Sequence, residues 1–177
     1  MNTKEQIKVL ISREDIEAKA AEIGAQIVKD YEGEPVYLIC TLRGAIMWMS
    51  ELMKNINCDA EIDFIQASSY GSSQTSSGVV KIKKDLEGEI YNKNVIIVED
   101  IIDTGRTLND VVNMLKLRNP LSLKVVTLLD KPERRVVDFK PDMALFTIPD
   151  YFVIGYGLDC AEHYRNLPYI AEYSAEE

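Results

Sequence analysis

The chain reads as an α/β protein with a central parallel sheet, and three observations carry that reading. Apolar runs stand at 36–40 (VYLIC) and 95–98 (VIIV), and 124–129 (KVVTLL) is largely apolar, as expected of strands covered on both faces. The first two are each followed by a turn and then by apolar residues at helical spacing. The length of 177 residues, with 46% apolar and 28% charged content, suits one soluble domain with a sizeable core.

In chain order, residues 1–11 form a polar lead-in that ends in the apolar triplet Val9-Leu10-Ile11, a short strand. Ser12-Arg13-Glu14-Asp15 resembles a capping box. Ile16, Ala20, Ile23, Ile27 and Tyr31 then repeat at threes and fours, predicting a helix of about five turns ended by Gly33. After strand 36–40 comes the turn Thr41-Leu42-Arg43-Gly44, then a helix with Ala45, Met49, Leu52, Met53 and Ile56 on one face. Ile46, Met47 and Trp48 make that helix apolar on a second face. Cover by a neighbouring loop would account for it. A subunit interface, where Trp and Met are enriched, accounts for it better.

Residues 61–65 read as a strand, and 79–84 as a strand returning antiparallel to it. Between them, 66–78 (QASSYGSSQTSSG) is rich in Ser and Gly, a composition that cannot bury a core and is expected to be mobile. Glu87-Gly88 and Lys93-Asn94 are turns. Strand 95–98 leads to the acidic pair Glu99-Asp100, a short loop Asp103-Thr104-Gly105-Arg106-Thr107, and a helix bearing Leu108, Val111, Val112 and Leu115 on one face. Asn119-Pro120 stops this helix. Strands follow at 124–129 and 143–147, and 169–177 reads as an acidic, frayed tail.

The loop 103–107 has the chemistry of a phosphate seat. Its N–H groups can converge, Gly105 can take positive φ, and the following helix N-terminus adds partial positive charge. Thr104 and Thr107 can add hydroxyl donors. The two carboxylates before it would repel phosphate. They can accept from sugar hydroxyls or bind Mg²⁺, directly or through water. Phosphate on one side and diol or metal on the other describes a site for a ribose 5-phosphate. Lys131 follows the strand 124–129, at the carboxyl end where open α/β sheets bind ligands.

The stretch VIIVEDIIDTGRTL closely resembles the signature of type I phosphoribosyltransferases, which use phosphoribosyl pyrophosphate, and the block PDYFVIGYGLDCAEHYR at 149–165 resembles the base pocket of their hypoxanthine-guanine branch. The resemblance implies a Rossmann-like core at about 36–148, a flexible Ser-rich lid, and a small hood from about 1–12 and 149–177, all in one domain. It implies that Glu99, Asp100, Asp103, Thr104, Gly105, Arg106 and Thr107 hold the ribose phosphate, with Asp103 the catalytic acid/base at N7 of a purine. It implies that Leu42, Arg43, Gly44 and Arg165 meet the pyrophosphate, often through a non-proline cis peptide in the Leu-Arg-Gly turn. Ser69 and Tyr70 match a Ser-Tyr pair of the lid. Lys131 would read the exocyclic oxygen of a 6-oxopurine, Phe152 would stack on it, and Val153 would bond its edge. Asp159 would sit at the purine 2-position and, with Glu99 and Asp100, at Mg²⁺. A uracil-type transferase of the same class is the competing reading, and Lys131 with the 152–159 block favours the purine.

Composition narrows the partners. A net charge of −9 opposes a broad nucleic-acid surface, which needs a basic footprint. It does not oppose small anionic substrates held by a local nest. The three cysteines, Cys40, Cys58 and Cys160, are dispersed and show no C-x-x-C, which fits reduced thiols in a cytoplasm. No apolar run reaches membrane-spanning length. His163, the sole histidine, has no His or Cys partner to suggest a metal site. The assembly expected is a homodimer or homotetramer.

Overall fold

The computed structural model describes residues 5–68 and 80–175. Strand β1 (Glu5–Ile11) enters helix α1 (Arg13–Asp30). Ser12 caps that helix, its Oγ accepting the Asp15 N–H at 3.1 Å. Then follow β2 (Val36–Thr41), α2 (Ile46–Lys54), β3 (Ala60–Ser68), β4 (Lys81–Lys84) and β5 (Asn94–Ile102). The rest of the chain is α3 (Arg106–Lys116), β6 (Ser122–Asp130), β7 (Met143–Thr147), β8 (Val153–Ile154) and β9 (Ile170–Ala175).

The main sheet has six strands in the order β4-β3-β2-β5-β6-β7. All neighbours run parallel except β4, which returns antiparallel to β3. The strands are apolar on both sides because each face of the sheet has its own core. Leu38, Cys40, Ile96, Val98, Val126 and Leu128 pack with Ile16, Ala20 and Ile27 of α1 and Trp48, Met49 and Leu52 of α2. Their neighbours Tyr37, Ile39, Val95, Ile97 and Val125 turn the other way and pack with Leu108, Val111, Val112 and Leu115 of α3. Among the described residues no helix is long and apolar enough to cross a membrane.

Four expectations change. The central strand does not stop at Val98: β5 runs to Ile102, so Glu99 and Asp100 are strand residues, with Glu99 opposite Thr127 of β6. The Ser-rich segment does not begin at Gln66, because Gln66, Ala67 and Ser68 belong to β3 and pair with β4. Trp48 is not available to a second subunit, being fully buried in this chain's own core. The C-terminal tail is not frayed over 170–175: β9 is the middle strand of a second, three-stranded sheet in the order β1-β9-β8. That sheet joins the two ends of the chain, and Ile11, Val153, Tyr156, Leu158 and Ile170 carry it onto the α1/α2 core.

Candidate active site

The carboxyl ends of β2 and β5 make the floor of the site. Thr41 closes β2, and its hydroxyl lies 3.0 Å from the Val98 carbonyl and 2.9 Å from Glu99 Oε1. The Asp100 N–H donates to Glu99 Oε1 at 3.1 Å, and the Ile101 N–H to Asp100 Oδ1 at 2.8 Å. Burial first, and then the adjacent Asp100 carboxylate, push the Glu99 carboxyl well above the ordinary carboxylate range. Among the described residues no Lys or Arg forms an ion pair with either acid. A turn crowds them: Leu42-Arg43 is a cis peptide, and a methyl on Gly44 would stand 1.4 Å from Asp100 Oδ2.

The loop after β5 has the backbone expected of it. Gly105 takes φ +80° and leads into α3, which starts with no side-chain cap and no acid in its first turn. The Arg106 N–H makes only a long contact, 3.5 Å, to Thr104 Oγ1, and a helix amino end without a closer cap suits an anion. Asp103, which could have capped the helix, instead meets Arg134: Nε to Oδ1 is 2.8 Å and Nη2 to Oδ2 is 3.4 Å. Arg135 donates to the Asp103 carbonyl at 2.9 Å and pairs with Asp130. A cavity of about 220 Å³ is lined by Thr41, Leu42, Ala67, Glu99, Ile101, Ile102, Asp103, Thr104, Gly105, Thr107, Leu108 and Val111. Arg106 is exposed and does not line it.

Lys131 opens the adjoining region. It is buried, and its ammonium donates to the Tyr151 carbonyl and lies 3.5 Å from Asp150 Oδ1. Arg134 also reaches Asp150, at 3.2 Å, so Asp103, Arg134, Asp150 and Lys131 form one chain of charges. Phe152 is 56% exposed and tilts against Tyr173, with ring centroids 6.0 Å apart. Its carbonyl accepts the Tyr173 N–H at 2.9 Å, while Val153 pairs with Glu172 one step along. Antiparallel ladders alternate, so the N–H and C=O of Val153 face the open edge of β8.

A third group lies beside the Arg43 turn. Arg165 Nη2 is 2.8 Å from Asp159 Oδ1, and Nη1 donates to the Gly157 carbonyl at 2.8 Å. Glu162 spans both arginines, 2.9 Å from Arg43 Nη1 and 3.4 Å from Arg165 Nη2. Asp159 is thus engaged by an arginine, and among the described residues no three His, Cys, Asp or Glu side chains cluster as a ready metal cage. Glu99 and Asp100, which have no such cationic partner among the described residues, offer carboxylate oxygens of the kind Mg²⁺ takes. Mg²⁺ commonly takes one or two carboxylates and fills its other positions with water and substrate oxygens.

Ser69 and Tyr70 lie outside the described residues. Sequence reasoning gave no role to Thr41, Arg134, Arg135, Asp150 or Glu162. The cationic pair straight after Lys131, at the ligand end of a parallel strand, was a usable signal. Nothing in the sequence marked Glu162.

A glycine turn opening a helix at one strand end, an acid pair with no cationic partner among the described residues and a turn that carries Arg43 suit a class, the enzymes that handle a phosphorylated sugar and an anionic leaving group. Comparison with known proteins narrows this. The model of the phosphoribosyl transferase domain matches residues 10–161, and the chain belongs to that family. It is 50% identical over 171 residues to a hypoxanthine phosphoribosyltransferase of Buchnera aphidicola, covering 96% of this chain and 97% of the relative. It is 51% identical over 163 residues to a hypoxanthine-guanine phosphoribosyltransferase of Streptococcus mutans, covering 92% and 91%. A crystal structure of a Bacillus anthracis hypoxanthine-guanine phosphoribosyltransferase superposes with TM-score 0.90 at 48% identity, covering 94% of this chain and 99% of that one. A Staphylococcus aureus hypoxanthine phosphoribosyltransferase gives 0.91 at 46% identity, covering 98% and 92%.

Proposed function

We propose that this protein transfers the 5-phosphoribosyl group of phosphoribosyl pyrophosphate to N9 of hypoxanthine or guanine, forming IMP or GMP and pyrophosphate in purine salvage. The observation that carries the reading is the uncapped amino end of α3, with Gly105 at φ +80°, opening on the same cavity as Glu99 and Asp103. Relatives about half identical over nearly the whole chain support it.

In this reading the amides of 104–107 and the Thr104 and Thr107 hydroxyls hold the 5′-phosphate. Glu99 and Asp100 take the 2′- and 3′-hydroxyls, and their negative charge favours the cationic sugar that forms as the C1′–O bond breaks. The electron pair of that bond leaves with pyrophosphate, which Arg43, Arg165 and the Leu42-Arg43-Gly44 backbone receive. N9 of the purine forms the new bond to C1′, and Asp103 takes the proton from N7. Lys131 donates to the 6-oxo group, Phe152 covers the ring, and the free N–H and C=O of Val153 meet its edge. Arg165 holds Asp159 near the 2-position.

Mg²⁺ is the cofactor that Glu99 and Asp100 suit, and it would supply charge neutralisation on the diol and pyrophosphate. A second copy of the chain suits the groove of about 510 Å³ between α2 and β3, where Ile46, Met53 and Ile62 are exposed; a homodimer or homotetramer follows. A reducing compartment, the cytoplasm, suits Cys40, Cys58 and Cys160, which are free.

The test is an initial-rate panel with phosphoribosyl pyrophosphate and Mg²⁺ against hypoxanthine, guanine, xanthine, adenine and uracil, repeated with a chelator. Turnover of hypoxanthine or guanine, lost on chelation, is expected. Adenine or uracil consumed as fast as hypoxanthine would refute the base assignment.

A further inference from the structure

The turn that carries Glu162 is unusual in its backbone. Cys160 and His163 exchange both backbone hydrogen bonds, Cys160 N–H to His163 O at 3.2 Å and the reverse at 3.0 Å. The two residues between them both have positive φ, Ala161 at 50° and Glu162 at 70°. That is the geometry of a type I′ hairpin turn, which normally uses Asn and Gly. A glutamate held there is an outlier, and outliers of this kind point towards function. The Glu162 N–H is also fastened to Asp159 Oδ2 at 2.9 Å.

The side chain explains the backbone. Its carboxylate grips Arg43 with both oxygens, at 2.9 and 3.3 Å, and reaches Arg165 at 3.4 Å. These are the two cations that the reading above assigns to pyrophosphate. We infer that Glu162 is an internal counter-ion to the two arginines of the pyrophosphate seat and is displaced from them by the incoming anion.

The pair is suited to displacement. The Arg43 and Glu162 side chains are 61% and 58% exposed, so water screens their attraction and the bond is weak. A polyanion carries more charge than one carboxylate and outcompetes it. The carboxylate meanwhile keeps two neighbouring arginines from repelling each other and from retaining product. Glu162 touches no reacting atom; it acts through the arginines.

This inference rests on the proposed function, and the experiment separates the two. Pyrophosphate with Mg²⁺, and separately IMP, are titrated calorimetrically into the wild type, Glu162→Gln and Glu162→Ala, with melting curves for each. Both variants are expected to bind pyrophosphate about 3- to 10-fold more tightly than the wild type and to bind IMP unchanged. In turnover, the KM for phosphoribosyl pyrophosphate falls. A glutamate that merely propped the arginines would give the opposite sign, so equal or weaker pyrophosphate binding in folded variants overturns the inference alone. Failure of the wild type and both variants to bind pyrophosphate overturns the proposed function as well.

Discussion

Gly157 and Gly44 meet backbone to backbone: a methyl on Gly157 would stand 1.9 Å from the Gly44 carbonyl oxygen. Gly157 has φ +98°, and its own carbonyl accepts from Arg165. The loop after β8 is thereby pressed against the cis turn that bears Arg43. Gly157→Ala is expected to cost at least about 2 kcal/mol of stability, from the positive φ and the forced backbone shift. The shift would move the Arg43 turn and raise the KM for phosphoribosyl pyrophosphate on the order of tenfold. Urea denaturation and steady-state kinetics check the two parts separately.

The Asp103–Arg134 contact, 2.8 Å between Oδ1 and Nε, gives a graded pair of variants. Asp103→Asn is expected to lower kcat by about 10²–10⁴-fold, the usual scale of general acid–base help, with the melting temperature little changed. Arg134→Gln leaves the carboxylate in place and removes one exposed charge pair, so a drop of only about 2- to 5-fold is expected. An Arg134 variant as damaged as the Asp103 variant would mean that the arginine itself contacts substrate.

Lys131 is buried with its ammonium on the Tyr151 carbonyl, and the proposed function gives it the 6-oxo group of the base. Lys131→Met should reduce kcat/KM for hypoxanthine by about 10- to 100-fold, the scale of an unpaired buried polar group. It should do less to adenine, narrowing the discrimination. A specificity panel on the purified variant reads this directly.

Asp63 is expected to contribute to the loss of stability in acid. It is buried and accepts from the Phe64, Glu87 and Gly88 N–H groups at 2.7, 2.8 and 3.0 Å and from the Tyr37 hydroxyl at 2.8 Å. Burial works to raise its carboxyl, but the donors from Gly88, Phe64, Tyr37 and Glu87 outweigh it and hold the group below its usual value. A lowered folded-state value contributes stability that is present above the unfolded value near 3.8. That stability is lost as pH falls through the lower folded value. Asp63→Asn should therefore destabilise by about 2–3 kcal/mol at neutral pH and flatten the stability profile in the acid limb. Urea titrations from neutral pH downward measure both.

The α2/β3 groove predicts an assembly phenotype. Ile46 is 44% exposed and lines it beside Met53 and Ile62. Ile46→Glu would bury a charge in any self-association across this face, so sedimentation should shift toward the monomer. A wild type that sediments as a monomer refutes the assignment of this groove to a second copy.

Local pattern alone established the alternation of strands and helices and singled out the loop around Gly105. The apolar runs of β2, β5 and β6, the spacing of Leu108 to Leu115 and the chemistry around Gly105 depend on neighbours close in the chain. Tertiary structure decided what depends on distant partners. Strand β9 lies within 169–177, a stretch that reads as an acidic tail until β1 and β8 flank it and share its hydrogen bonds. Trp48 could have faced a partner until α1 and the sheet enclosed it. The grip of Arg134 on Asp103, and of Glu162 on Arg43 across 119 residues of chain, could not be read from order along the sequence. Long side chains pair with whatever charge the fold brings near, and only packing sets which charge that is.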